Sequence, residues 1–190
     1  MKVPVSGACR KSRPGFERIG KKQSAPEVLK LIRRFGERSP PKLIVLCGPS
    51  HSGKSSLANK LRGRFCVISS DETRKQVTGC PVPCGREREI WKAFDSLKRE
   101  ALKKGRDVVL DACHISKRAR WHALQGATGH YDKMCIVFDL PWHVIHARCL
   151  GTKRLPVSEA ERMWRAFQEL KPSRHELKLQ RYDEVYFIKG

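Results

Sequence analysis

The sequence lacks any apolar run approaching the ~18 residues that a membrane-spanning helix needs, which argues against a transmembrane protein. It also lacks the basic and apolar segments of a secretory signal at its start, so we expect a soluble, cytoplasmic protein. No internal repeat is visible, and 190 residues are enough for one domain with an extension. Hydrophobic residues make up 39% of the chain, which supports a packed core and excludes wholesale disorder.

Acidic residues are scarce, because only 19 Asp and Glu accompany 40 Lys and Arg, and the net charge is +21. A surface potential of this sign concentrates polyanions and speeds their association. Nucleic acid, a nucleotide and an anionic lipid all fit this charge, and so does a role in solubility alone. Charge does not choose among these explanations, so the choice depends on finding a site.

The absence of a secretory signal also bears on the eight cysteines. Cys47, Cys66 and Cys135 lie inside apolar runs, where a thiol packs as a small hydrophobe. We therefore expect reduced thiols rather than disulfides. Cys80 and Cys84 lack a second ligand pair at a zinc-like spacing, so a rigid proline-rich loop is favoured over a metal site.

The first 41 residues differ in pattern from the rest of the chain. Residues 1–23 show no apolar period and are rich in Lys and Arg, which predicts a flexible basic arm. A short amphipathic helix follows, with Ser24 as a cap, Pro26 in its first turn and Gly36 at its end. We therefore divide the chain into an extension, 1–41, and one domain, 42–190.

From residue 42 onward, short apolar runs alternate with helical stretches, a pattern typical of α/β proteins. The predicted strands are 43–47, 65–68, 108–110, 134–138 and 185–188. The predicted helices are 54–62, 86–104, 116–125, 142–150 and 158–170. One face of the longest helix carries Ile90, Phe94, Leu97, Ala101 and Leu102. Core packing is favoured over base stacking for Trp91, Trp121, Trp142 and Trp164.

The segment after the first predicted strand fits the GxxxxGK[ST] pattern and precedes a predicted helix. Its glycines let the backbone wrap around phosphate oxygens, so that N–H groups and the helix N-terminus face negative charge. Lys54 suits the β- and γ-phosphates, and the Ser55 hydroxyl suits Mg²⁺. A degenerate loop without ligand is the alternative. The predicted ATP-binding residues are Gly48, Pro49, Ser50, His51, Ser52, Gly53, Lys54, Ser55 and Ser56.

Charged residues follow the next two predicted strands. Asp71 comes after the second strand, where parallel sheets place their ligands, and it suits the removal of a proton from an attacking hydroxyl. Arg74 lies three residues further on and suits an acceptor phosphate; the alternative is that Asp71 only caps a helix. Asp111 ends the third strand and suits Mg²⁺ or the orientation of Arg74. A solvent-facing aspartate is the alternative for that position.

A basic segment follows the fourth predicted strand and contains Arg148, Lys153 and Arg154. Mobile arginines on a closing loop neutralise the charge that spreads over the oxygens during phosphoryl transfer. A solvated helix end with a favourable positive charge explains the same residues equally well. The spacing alone therefore leaves both interpretations open.

The combination GPSHSGKSS, SSDETR and GRDVVLDACHISKRAR, with the Arg148 to Arg154 segment and PSRHE before the last strand, resembles the AAA_33-type P-loop kinases. This group includes the kinase module of phage-type 5′-hydroxyl polynucleotide kinase, and the resemblance covers residues 42–190. It implies a P-loop kinase fold in which Asp71 is the general base and Arg74 binds the acceptor. It further implies that Lys54, Ser55 and Arg148 serve ATP and Mg²⁺.

One departure concerns the residues after the third strand, where the family commonly has Asp-x-Thr-Asn and this chain has Asp111, Ala112, Cys113 and His114. We predict an ATP- and Mg²⁺-dependent kinase with the catalytic residues Asp71, Lys54 and Arg148, and with Arg74 and Asp111 at the acceptor. Arg148 and Arg154 are also predicted to bind ATP, and Ser55 and Asp111 to bind the metal. The expected acceptor is the 5′-hydroxyl of a polynucleotide or nucleotide. The alternatives are a small-metabolite kinase and a non-catalytic, nucleotide-switched nucleic-acid-binding protein.

Overall fold

The computed structural model describes residues 24–34, 40–80, 85–127, 130–152 and 155–190, so the predicted basic arm lies outside the described residues. The strands are β1 (Lys42–Cys47), β2 (Cys66–Ser69), β3 (Val108–Asp111), β4 (Asp132–Asp139) and β5 (Glu184–Lys189). The helices are α1 (Ala25–Arg34), α2 (Lys54–Leu61), α3 (Ser70–Thr78), α4 (Glu87–Lys103), α5 (Lys117–Leu124), α6 (Trp142–Thr152), α7 (Val157–Leu170) and α8 (Arg174–Leu179).

Within the described residues, the strands form one five-stranded sheet in the order β2-β3-β1-β4-β5. All four strand pairings are parallel, which confirms the predicted α/β class. The first strand lies at the centre, and each of its residues is buried. Burial on both faces explains its unbroken apolar sequence, because an edge strand or a one-sided strand would alternate with polar residues.

Alternate side chains of the central strand enter two separate cores. Val45 packs in a cluster that includes Phe94 from α4, and Leu46 packs in a second cluster with Val28 from α1 and Leu57 from α2. Because successive strand residues point to opposite faces, the sheet is covered by helices on both sides. This arrangement confirms the predicted layers.

The first helix begins with a reciprocal cap. The Ser24 amide donates to Glu27 Oε2 at 2.8 Å, and the Glu27 amide donates to Ser24 Oγ at 3.4 Å. This capping box satisfies two amides that a helix start otherwise leaves unbonded. Val28 and Ile32 are then fully buried against the sheet, so the apolar face of α1 belongs to the core. The predicted end at Gly36 lies outside the described residues.

Two predictions about helix packing are wrong. Leu97 of α4 is 39% exposed, whereas Lys98 is buried, with its ammonium 2.9 Å from Asp95 Oδ1 and donating to the His122 carbonyl at 2.8 Å. These two oxygens compensate the buried charge, which allows a lysine to occupy the inner face. Trp121 is 53% exposed, so the expectation of core packing does not hold for it.

The carboxyl ends of β1, β2, β3 and β4 meet at one edge of the sheet, because these strands are parallel. The loop 48–53, helix α3, residue Asp111 and helix α6 therefore follow this same edge. No helix in the described part of the chain is both long and apolar enough to cross a membrane. The cysteines described as free thiols are Cys47, Cys66, Cys80, Cys113, Cys135 and Cys149.

Candidate active site

A cleft of about 1440 Å³ opens along the carboxyl edge of the sheet. Its lining includes the loop between β1 and α2 and side chains of α3, α4 and α5. Its lining contains the sequence-predicted residues Ser50, His51, Ser52, Gly53, Lys54, Ser55, Ser56, Asp71, Arg74, Asp111 and Arg148. Gly48 and Pro49 are not among the lining residues, and Arg154 lies outside the described part of the chain.

Gly48 fixes the start of the loop against the neighbouring strand. Its φ is +153°, and a Cβ atom at this position would lie 3.0 Å from both Cβ and the carbonyl oxygen of Phe138. Its amide donates to the Cys113 carbonyl at 2.9 Å, which ties the loop to the end of β3. Gly48 therefore supports the loop from behind, because no larger residue fits between the loop and β4.

Lys54 begins α2 and is buried under the loop that precedes it. Its Nζ donates to the Pro49 carbonyl at 2.5 Å and to Ser52 Oγ at 3.3 Å. Gly53, just before this helix, has a φ of +98°. The loop thus brings an ammonium group and the amino end of a helix to the same wall of the cleft, and both attract anions.

Ser55 of α2 and Asp111 at the end of β3 supply neighbouring side-chain oxygens in the cleft. Asp111 is 5% exposed, and its carboxylate is hydrogen-bonded to the side chain of Ser55. Burial raises the pKa of Asp111, whereas Lys54 and the Ser55 hydrogen bond oppose that rise. A hydroxyl and a buried carboxylate side by side are hard oxygen ligands that fit Mg²⁺.

The described residues contain no cluster of three or more His, Cys, Asp and Glu that could hold a metal ion by themselves. Magnesium is commonly bound through one or two carboxylates together with substrate phosphates and water. The Ser55 hydroxyl and the Asp111 carboxylate have the chemistry of such protein ligands.

Arg148 of α6 contacts the loop between β1 and α2. Its Nη1 donates to the His51 carbonyl at 3.2 Å, and it lies 3.3 Å from the place that a Cβ on Gly53 would occupy. The predicted lid arginine therefore lies next to the predicted phosphate-binding loop. Lys153 and Arg154, the other two basic residues of this segment, are outside the described residues.

Asp71 and Arg74 lie on α3 and form an ion pair with Arg74 Nη1 2.8 Å from Asp71 Oδ1. The helix has Ser69 as its N-cap and begins at Ser70, so Asp71 is a first-turn residue rather than the cap. Arg74 also donates to both carboxylate oxygens of Glu87 at 3.3 Å. Two carboxylates from different helices thus orient one guanidinium that is 7% exposed.

The sequence did not indicate what three residues of α4 contribute near Arg74. Glu87 pairs with Arg74, and Trp91 and Phe94 line the cleft, although Phe94 was predicted on the apolar face of this helix. Trp91 is 40% exposed and lines the cleft, so the expectation that it packs in the core is wrong. The spacing 87, 91 and 94 repeats at helical intervals and places these residues on one face of α4. That spacing was the available signal, but it does not reveal what the face lies against.

His114 occupies the position where the sequence departs from the family pattern. It is buried, and its Nδ1 lies 2.9 Å from the Leu46 carbonyl. Burial lowers the pKa of His114 to about 4, so the ring is neutral at pH 7. This contact joins the segment after β3 to β1, and His114 also borders the cleft.

The AAA_33 family model, described as an AAA domain, matches residues 43–170. No curated protein matches the sequence significantly. A solved chain of the Pnkp1/Rnl/Hen1 RNA repair complex matches with a TM-score of 0.62 and 24% identity, over 73% of this chain and 47% of that one. A chain of a second Pnkp1/Rnl/Hen1 complex matches with a TM-score of 0.52 and 26% identity, over 65% and 44%.

A gluconokinase from Sinorhizobium meliloti 1021 also matches, with a TM-score of 0.53 and 20% identity, over 80% of this chain and 84% of that one. The chain therefore spans less than half the length of the two Pnkp1/Rnl/Hen1 chains and most of the gluconokinase. Together these similarities show the P-loop kinase fold.

Proposed function

This chain belongs to the AAA_33 family of AAA domains, and from that membership we propose that it is an ATP-dependent kinase. Its proposed acceptor is the 5′-hydroxyl of a polynucleotide or nucleotide. The observation that carries this proposal is that the loop with Lys54 and the Asp71–Arg74 pair line the same cleft. We call the part with the loop the donor end and the part with the ion pair the acceptor end. Residues 42–190 are the proposed kinase domain, with residues 1–41 as an extension.

At the donor end, the loop amides and Lys54 bind the β- and γ-phosphates of ATP, and Arg148 reaches the same phosphates from α6. The three groups surround the position where negative charge grows as the γ-phosphoryl group leaves ADP. Preorganised positive charge in a partly enclosed cleft lowers that barrier without further rearrangement. The Ser55–Asp111 pair would hold Mg²⁺, which supplies charge neutralisation at the phosphate oxygens when it is bound.

At the acceptor end, Asp71 accepts the proton of the attacking hydroxyl. The hydroxyl oxygen forms a bond to the γ-phosphorus, the bond from that phosphorus to the bridging β–γ oxygen breaks, and ADP leaves with the electron pair. Arg74 holds the phosphate that neighbours the reacting hydroxyl, because a guanidinium matches phosphate geometry with two parallel hydrogen bonds. The Asp71–Arg74 contact keeps both groups in reach of one nucleotide.

The charge of the chain supports a polyanionic acceptor over a small neutral one. The net charge is +21, and Lys60, Arg118 and Arg148 add basic side chains to the walls of the cleft. A basic surface of this kind concentrates nucleic acid near the site and contributes a salt-dependent share of its affinity. The similarity to the RNA-repair chains supports the same class of acceptor.

A small-metabolite kinase is the second candidate, because the gluconokinase matches over most of its own length. A non-catalytic, nucleotide-switched nucleic-acid-binding protein is the third. ADP release with ATP, Mg²⁺ and a panel of acceptors separates the three: 5′-hydroxyl DNA, 5′-hydroxyl RNA, nucleosides and sugar acids. The proposal predicts turnover with the oligonucleotides. Turnover only with sugar acids would favour the second candidate. ATP binding without turnover of any acceptor in the panel would favour the third.

A further inference from the structure

One face of α4 contacts Arg74 and also carries an exposed aromatic side chain, Trp91. Glu87 contacts Arg74, and Trp91 follows it by four residues on the same face of the helix. Four residues correspond to about 6 Å along a helix axis. Trp91 lines the cleft while 40% of the residue stays exposed, so it is accessible to a ligand in the cleft.

The indole of Trp91 packs against the buried ring of Phe94. Its ring lies 5.3 Å from the ring of Phe94 at an interplanar angle of 70°, an edge-to-face contact. Phe94 is 2% exposed and belongs to the core that packs on the sheet. An aromatic ring held by a buried partner offers a fixed apolar surface, so little conformational entropy is lost when a ligand packs on it.

Arg74 supplies a cationic group on one side of Glu87, and Trp91 supplies a flat apolar ring on the other side. Arg118 of α5 and Asp95, one residue after Phe94, also line the cleft. A ligand that reaches from Arg74 to Trp91 must therefore carry an anionic group at one end and a flat apolar group at the other. A sugar acid supplies the anion but lacks the flat group, whereas a nucleotide supplies both, separated by its sugar.

We propose that Trp91 is a stacking platform for a base of the acceptor, next to the phosphate that Arg74 binds. This inference rests on the proposed function and deepens it, because it makes the acceptor a nucleobase-bearing molecule. Every base has a π face, so the platform accepts DNA and RNA bases without sequence preference. Trp91 is thus a specificity-determining residue rather than a catalytic one.

The test compares Trp91→Ala with Trp121→Ala in the full chain. Trp121 is a matched control because it is also an exposed tryptophan, 53% exposed, and is not among the residues that line the cleft. With a 5′-hydroxyl oligonucleotide, Trp91→Ala should raise KM roughly 5- to 150-fold, which corresponds to the ~1–3 kcal/mol that one stacked base contributes. The value of kcat should stay within about twofold, and Trp91→Phe should restore most of the affinity because it keeps a π face.

A second comparison changes the oligonucleotide and uses the wild type and Trp91→Ala. Oligonucleotides that lack the base at the first or second position from the 5′ end keep the hydroxyl, the sugars and the phosphates. Removal of the stacked base should raise KM for the wild type and should add nothing in Trp91→Ala. An equal KM for Trp91→Ala and Trp121→Ala, or an unchanged KM for both abasic oligonucleotides, would overturn the inference while leaving the kinase proposal intact. Absence of wild-type turnover with every oligonucleotide would instead refute the proposed function.

Discussion

The donor and acceptor ends of the cleft are built in different ways. The donor end is mainly one continuous segment, Gly48 to Ser55, whose shape is set by backbone conformation and by the close contact of Gly48 with β4. Arg148 and Asp111 join it from elsewhere in the chain. The acceptor end combines side chains from separate helices, with Arg74 held between Asp71 and Glu87. A backbone-built site depends on a few special residues, whereas a side-chain-built site depends on how its helices pack.

This difference predicts separable effects of substitution. Changes at the donor end should weaken ATP binding, because the loop and Lys54 have no proposed contact with the acceptor. Changes at the acceptor end should reduce turnover or acceptor affinity and leave ATP binding nearly unchanged. A substitution that damages both functions equally would show that the two ends are not independent.

The largest effect is expected for Asp71→Asn. Asparagine keeps the size of the side chain but cannot take the proton of the attacking hydroxyl, so turnover should fall ~10²- to 10⁴-fold. ATP affinity, measured by calorimetry, should stay close to that of the wild type. Retention of most of the turnover, with chemistry shown to be rate-limiting, would reduce Asp71 to a partner of Arg74.

The next effect concerns His114, which connects the segment after β3 to β1. His114 has a pKa of about 4 in the fold against 6.5 in an unfolded chain, so the unfolded state binds the proton more readily. The stability that the neutral ring contributes is therefore complete above pH 6.5 and is lost as the pH falls towards 4. Between pH 7.5 and pH 5 this loss should amount to about 2 kcal/mol.

Denaturant unfolding of the wild type and of His114→Gln at both pH values measures this contribution. The difference between the two proteins removes the titration of all other groups, provided that both unfold in two states. We expect the wild type to lose more stability on acidification than the variant. An identical loss in both proteins would contradict the assigned burial of a neutral His114.

Lys54→Ala should act on the donor end alone. Removal of the ammonium should weaken ATP binding by ~1.5–3 kcal/mol, the scale of a hydrogen bond to a charged group. Because Lys54 also bonds to the Pro49 carbonyl, circular dichroism must first show that the variant is folded. Unchanged ATP affinity in a folded variant would refute the assignment of this loop as the phosphate-binding site.

The smallest effect is expected for Glu87→Gln. This change removes one of the two charges that orient Arg74, and partly exposed ion pairs contribute about 0.2–1 kcal/mol, so the acceptor KM should rise only a few-fold. Glu89→Gln is the matched control, because Glu89 pairs with Arg86 on the same helix. A larger effect of Glu89→Gln than of Glu87→Gln would contradict the role given to the Arg74 network.

The same contrast explains what the sequence could predict. The strands, the loop and Arg148 were predictable, because an apolar run and a motif of consecutive residues carry their own signal. Glu87 and Trp91 were not, since their importance depends on the packing of α4 against α3, which no local pattern records. Leu97 and Lys98 show the same limit: helical spacing favours an apolar residue inside, but two nearby oxygens allow the lysine there instead.

The most direct test of the account is transfer of the γ-phosphate of labelled ATP to two oligonucleotides that differ only at their 5′ ends. One carries a 5′-hydroxyl and the other a 5′-phosphate, and both are offered to the wild type and to Asp71→Asn. We predict that the wild type transfers the label to the 5′-hydroxyl oligonucleotide and that Asp71→Asn transfers little of it. Neither protein should label the 5′-phosphate oligonucleotide. Absence of label on the 5′-hydroxyl oligonucleotide, from a protein that binds ATP and phosphorylates a sugar acid, would contradict it.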